Sequence, residues 1–152
     1  MAGDADRLVL FSMSGQKMAI DLATVTEVVE LPETWPIPLA PSFFKGVMNF
    51  HGALIPLLDL GCYLGPGATG VAGKALVLDR SIADLALWVE DVERVLPSAD
   101  AALVGGGESP TVAVLEIAGN EVLLISAEAL IDKLETDLLT MQRTFTGLEE
   151  TA

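Results

Sequence analysis

The sequence predicts a mainly β protein built of small barrels or a sandwich, not a doubly wound sheet. Three observations carry that reading. Short apolar runs recur between turn residues from Leu8 to Ile125. Helical spacing surfaces only twice, once after Asp21 and once after Ser126. No strand is followed by the long amphipathic crossover that a parallel sheet requires. The 152 residues, 51% of them hydrophobic, suffice for one domain or for two small lobes sharing a core.

Leu8 to Met13 reads as a strand, Ser14-Gly15-Gln16 as its turn, and Met18 to Leu22 as the returning strand. Asp21 is placed to cap a helix over Leu22 to Val28, because Leu22, Val25, Val28 and Val29 recur at helical spacing. Pro32, Pro36, Pro38 and Pro41 bar regular structure from the next stretch, while Trp35, Ile37, Leu39, Phe43 and Phe44 anchor it. Gly46 to Phe50 and Ala53 to Leu60 are two strands joined at His51-Gly52, and Gly61 to Gly73 is expected to be a surface loop. Lys74 to Asp79, Leu85 to Glu90 and Asp91 to Leu96 are strand-like. Ala101 to Ser109 reads as a flexible connector, and Thr111 to Ile117 with Glu121 to Ile125 as a hairpin. Ser126 caps a terminal helix whose Leu130, Ile131, Leu134 and Leu138 should close the open side of the first barrel. Residues 1–7 are expected to be a tail, 8–139 the folded domain, and 140–152 a frayed end. No internal repeat is visible.

Charge and residue inventory narrow the function. Eight Lys and Arg against 22 Asp and Glu give a net charge of −14, a field that repels phosphate backbones and anionic lipid. The first residues lack the basic and apolar regions of a secretory signal, and no apolar run reaches the length of a membrane span. One cysteine, Cys62, suits a reducing cytosol. The expected setting is cytoplasmic. Gly65 to Gly70 matches GxGxxG, but Pro66 occupies the turn and a strand comes after it, where pyrophosphate binding needs a helix. With one histidine and one cysteine, nitrogen or sulfur zinc ligation, Ser-His pairs and Cys-His pairs have little to work with. No catalytic residue, metal or cofactor is expected. What remains is a β-rich binding module whose helix and proline segment offer apolar surface.

The order of signals resembles the CheW-like family of bacterial chemosensory coupling proteins. Gly46-Val47-Met48-Asn49-Phe50-His51-Gly52 running on through Pro56 to Asp59-Leu60 is similar to the family's G-V-x-N-L-R-G-x-x-x-P-x-x-D-L signature. Val25-Thr26-Glu27-Val28 resembles its V-x-E-(V/I) helix, the Pro36-Ile37-Pro38 to Pro41 stretch its P-x-x-P segment, and Trp88 to Val92 with Val95-Leu96-Pro97 its V-D-x-V run. The resemblance spans about Leu8 to Leu134. It implies two intertwined SH3-like five-stranded β-barrels and no catalysis. It also implies a scaffold bridging the signalling tip of a chemoreceptor to the regulatory domain of a CheA-type histidine kinase, in receptor arrays at the inner membrane face. Carried over by position, the receptor groove takes in Leu22, Val25, Glu27, His51, Ala75 and Val92. Gly46, Asn49, Gly52, Pro56 and Asp59 are expected to be structural.

The departure is His51, where the signature has arginine. A permanent planar cation is replaced by a group mostly neutral at pH 7, so the receptor grip is weakened or the partner belongs to a divergent chemosensory system. Two rivals are weighed. A small metal-dependent hydrolase would use His51 and Asp59, and a detached kinase regulatory domain would share the fold.

Overall fold

The computed structural model describes residues 6–30, 32–65, 67, 69 and 72–151, with side chains described up to 142. Of the expected N-terminal tail, residues 1–5 lie outside this set, as do 66, 68 and 70 of the glycine pattern.

Three hairpins set the framework, and each turns on a residue-glycine pair. β1 (Arg7–Met13) and β2 (Gln16–Asp21) meet at Ser14-Gly15, β5 (Phe44–Phe50) and β6 (Ala53–Asp59) at His51-Gly52, and β11 (Thr111–Ile117) and β12 (Asn120–Ile125) at Ala118-Gly119. In every pair both residues have positive φ, between 48° and 89°, the backbone a two-residue type I′ turn demands. Each return strand then runs into a capping side chain. Asp21 accepts from Ala23 N, Asp59 from Cys62 N at 3.1 Å, and Ser126 Oγ from Ala129 N at 3.1 Å.

Beyond these caps the chain departs from expectation in two places. Leu22–Thr24 is a single 3-10 turn, and Val25–Glu30 is strand β3, not helix. Three valines and a threonine in six residues favour the extended backbone, and spacing over so short a run cannot outweigh that. The 61–73 loop opens with helix α1 (Leu60–Leu64) and is tied down, with Gly61 and Thr69 buried. β4 (Thr34–Trp35) is the one short strand of the proline segment. β7 (Lys74–Leu78), β8 (Ala86–Val89) and β9 (Asp91–Pro97) lie where the sequence places them. The expected connector at 101–109 is instead largely β10 (Ala102–Gly106), bulged between Leu103 and Gly105 where it pairs with β11. Helix α2 (Ala127–Thr151) ends the chain and includes the segment from 140 expected to fray.

Among the described residues the strands form two six-stranded sheets, β10-β11-β12-β2-β1-β9 and β3-β7-β8-β6-β5-β4. The middle of the chain makes the second sheet, and its two ends make the first. Both sheets show one succession from edge to edge: two antiparallel pairings, one parallel pairing, two antiparallel pairings. The repeat is one of topology, invisible in the sequence.

Each sheet rolls up, and chain geometry requires it. The edges of a flat six-stranded sheet lie about 24 Å apart at ~4.8 Å per strand. Yet β3 and β4 are joined by residues 31–33, and β9 and β10 by residues 98–101. Such links reach only about 14–18 Å even when extended. The two edges of each sheet must therefore curl toward one another.

Side-chain alternation then sorts the core. Leu8, Leu10, Ala19, Leu96, Leu115 and Val122 fill the first roll. Met48, Ile55, Leu57, Ala75, Val77 and Trp88 fill the second. The residues between them, Val9, Phe11, Ile20, Leu76, Leu78 and Leu87 among others, face the seam between sheets. β1, β7 and β8 are buried on both faces, which is why they read as unbroken apolar runs. Leu130 and Leu134 of α2 join this seam cluster, not the interior of the first roll. The helix is also tied to α1. Tyr63 Oη donates to Asp137 Oδ2 at 2.5 Å, and Lys133 Nζ lies 2.7 Å from the same oxygen and 4.5 Å from the tyrosine ring centre.

Candidate partner-binding site

Two of the expected contact residues, Glu27 and His51, meet where the second sheet rolls shut. His51 sits at the tip of the β5–β6 hairpin and Glu27 on edge strand β3, four strands from β5 in sheet order. Their side chains nevertheless meet, His51 Nε2 to Glu27 Oε1 at 3.3 Å. Both are exposed, 72% for the imidazole and 46% for the carboxylate. Phe50 packs edge-on against the imidazole, ring centres 4.4 Å apart. Asn49 holds the turn by accepting from Gly52 N at 2.9 Å.

The other expected residues fall into two groups. Leu22, Val25 and Val92 are half-buried and pack on the seam cluster, each retaining some surface. Ala75 has none, since it lies inside the second roll opposite Val29 and Trp88. Sequence reasoning did not single out Phe50, whose ring packs on His51, nor the exposed Val28 and Leu54, which lie one and three positions from Glu27 and His51 in sequence. The usable signal was an apolar side chain within three positions of the pair.

The signature residues act on structure. Gly46 has φ +150°, and a Cβ there would stand 2.5 Å from the Trp35 carbonyl oxygen, so only glycine lets β4 pair with β5. Pro56 sits one residue before β8 begins to pair at Leu57, where a missing N–H does the least harm. Asp59, 7% exposed, accepts from Cys62 N, Thr69 N and Thr69 Oγ1, the last at 2.8 Å. It is the clasp of the 61–73 loop.

At the far end of β3, Lys74 lies 2.9 Å from Asp91 and 3.7 Å from Glu30. Its hydrogen bond to Asp91 pushes the ammonium pKa up, and Lys74 in turn holds the Asp91 carboxyl below its ordinary value. Glu27 has no lysine or arginine within 4.0 Å among the described residues, and its one ion-pair partner there is His51.

The hydrolase rival fails on distance. His51 lies in the turn before β6 and Asp59 is the last residue of that strand, whose seven residues span about 20 Å at ~3.3 Å per residue. Among the described residues no three His, Cys, Asp or Glu side chains cluster to hold a metal ion, and no helix is long and apolar enough to cross a membrane.

A family model described as the CheW-like domain matches residues 7–135. The chain belongs to the CheW-like family. A chemotaxis protein CheW of Treponema pallidum is 33% identical over 54 residues, 36% of this chain and 32% of that protein. One from Rhizobium meliloti is 25% identical over 95 residues, 61% of each. These alignments thus cover less than two thirds of either CheW relative. The crystal structure of the scaffolding protein TtCheW from Thermoanaerobacter tengcongensis superposes with a TM-score of 0.67 at 21% identity, over 80% of this chain and 88% of that one. That likeness concerns the fold, the CheW-like pair of SH3-like subdomains.

Proposed function

We propose that this CheW-like chain is a non-enzymatic scaffold that couples methyl-accepting chemoreceptors to a CheA-type histidine kinase, at the cytoplasmic face of receptor arrays. The observation that carries the proposal is the family match across nearly the whole folded chain, residues 7–135. Support comes from a site made of adhesive parts. Glu27 and His51 form a polar pair with Val28 and Leu54 exposed beside them in sequence, and Leu22, Val25 and Val92 add partly exposed aliphatic surface. An amphipathic receptor helix fits such a surface, with aliphatic contact supplying affinity and the charge supplying orientation and on-rate.

Co-sedimentation of the full chain with receptor signalling fragments and with the kinase tests this. Binding to both is expected, and absence of binding to either one overturns it. His51 favours a second reading, a partner from a divergent chemosensory system, because the family signature has arginine there. On that reading His51→Arg changes which receptor fragments in a panel are bound, and an unchanged panel counts against it.

A further inference from the structure

We propose that a second copy of this chain covers the distal half of α2, in an antiparallel helix pair that seats each helix end in a groove of the other copy. The pairing needs neither the receptor nor the kinase, and it uses a different part of the molecule from Glu27 and His51. It starts from the length of a stripe. From Ile131 onward the apolar residues of α2 alternate spacings of three and four, through Leu134, Leu138, Met141, Phe145 and Leu148, the register of a helix seam. Leu134 is buried in the cluster between the sheets, and Ile131 and Leu138 pack against it. Met141 is exposed, and the helix continues to Thr151. The stripe is thus longer than the domain it packs on.

Where the stripe leaves the domain, the proline segment supplies a second wall. Leu39, Pro41 and Phe43 on one side and Leu138 and Met141 on the other enclose a groove of about 490 Å³. No ionisable side chain lines it. Leu39, at its rim, is fully exposed and held at φ +61°, a left-handed conformation that leucine rarely adopts. Strained backbone that holds an apolar side chain in water points to a contact made elsewhere.

Self-complementarity selects the occupant. One chain carries both the projecting stripe and the groove, as a two-fold contact requires. Each copy bears a charge of −14, so two copies can meet closely only over uncharged surface, and this groove offers it. Orientation follows from where the domain sits. The domain packs on the Leu130–Leu134 part of the same helix face, so a parallel pair would put both domains in one place. Antiparallel pairing instead sets Leu138 against the second copy's Leu148 and Met141 against its Phe145, four layers by symmetry. The seam from 138 to 148 is about 15 Å long at ~1.5 Å per residue. That is shorter than a free-standing coiled coil and short of the ~800 Å² per partner of a permanent interface. The dimer should therefore be reversible, with a Kd of about 10–100 µM.

Sedimentation velocity of the full chain between about 1 and 300 µM tests this, because a dimer of that strength forms within the range. A concentration-dependent shift from monomer to dimer is expected. Raising NaCl from about 0.05 to about 0.5 M screens the repulsion between copies and should tighten the dimer roughly three-fold. Met141→Glu and Leu39→Glu, both at exposed positions, should each weaken it about ten-fold or more, whereas Leu103→Glu on β10 should leave it unchanged. Leu39→Gly removes the side chain and relieves the backbone, so it should weaken the dimer with no loss of unfolding midpoint. A chain that stays monomeric throughout overturns the proposal, as does a dimer indifferent to Met141→Glu and Leu39→Glu or one that weakens with salt. A monomeric chain whose co-sedimentation with receptor fragment or kinase is lost in Met141→Glu would give the groove to that partner instead, which also overturns it.

Discussion

At the scale of single residues, the fold is held by positions where one atom more would not fit. A Cβ on Gly61 would stand 2.3 Å from the Gly67 carbonyl oxygen and 3.1 Å from Thr69 Oγ1. The obstacle is partly backbone, so the loop and not a side chain must yield. Gly61→Ala should cost about 1–3 kcal/mol in chemical denaturation, and it should loosen the grip of Asp59 on Thr69, readable as faster amide exchange at Thr69. Little of this was legible beforehand. A stretch with so much glycine reads as a floppy loop because sequence lists what side chains can pack. It does not list where backbone must approach backbone, nor that a buried carboxylate waits for three donors. The partner-site residues were better marked. Glu27 and His51 were both named, but only the roll of the sheet reveals that they touch, and Ala75 was named without any sign that it is wholly interior.

Elements were legible where turn chemistry and alternation agreed. All three residue-glycine hairpins fall where the sequence puts them, since φ above zero at two successive positions leaves few alternatives to glycine in the second. The failures share a cause. Leu22, Val25, Val28 and Val29 fit a helix by spacing, but eight residues barely exceed two turns, and β-branched content decides. Gly105 and Gly106 suggested a connector, but a bulge accommodates glycine within an edge strand. The α1–α2 tie carries a pH signature. Lys133 and then Tyr63 hold the Asp137 carboxyl below its ordinary value, so the unfolded chain binds that proton first as pH falls. Its contribution is fully present above the unfolded carboxylate range and lost on acidification through the lower folded value. Melts of Asp137→Asn between pH 7 and 3 should show a shallower acid limb than wild type. Equal limbs would mean that the tie adds nothing. At the alkaline end burial, reinforced by Asp137, pushes the Tyr63 phenol up, so its contribution fades as pH climbs past the ordinary tyrosine value of 10.0.

For the whole molecule, the decisive fact is a core belonging to both halves. Val9, Phe11 and Ile20 of the first sheet, Leu76 and Leu87 of the second, and Leu130 of α2 share one cluster. Neither roll can open without exposing the seam. Unfolding should accordingly be a single transition. Trp35 and Trp88 both lie in the second sheet, so their fluorescence reports that half, while far-ultraviolet dichroism reports all strands. The two denaturation curves should superimpose, and separated midpoints would show that the halves melt independently. The class of fold was readable at this scale from strand-like runs alone. The matched topology of the two sheets was not, because equal pairing order leaves no equal residues behind.

The interleaving of the sheets also dictates a timetable at the ribosome. The hairpin of residues 7–21 is made first, but β12, its parallel neighbour, begins 99 residues later at Asn120. At roughly 5–20 residues per second, that leaves the opening hairpin without its later partner for roughly 5–20 s. In the meantime the inserted stretch, residues 25–89, can complete all its own pairings. The last-made strand is thus the one that finishes the first-begun sheet, and a stalled or truncated nascent chain would present an apolar hairpin to whatever chaperone is nearest.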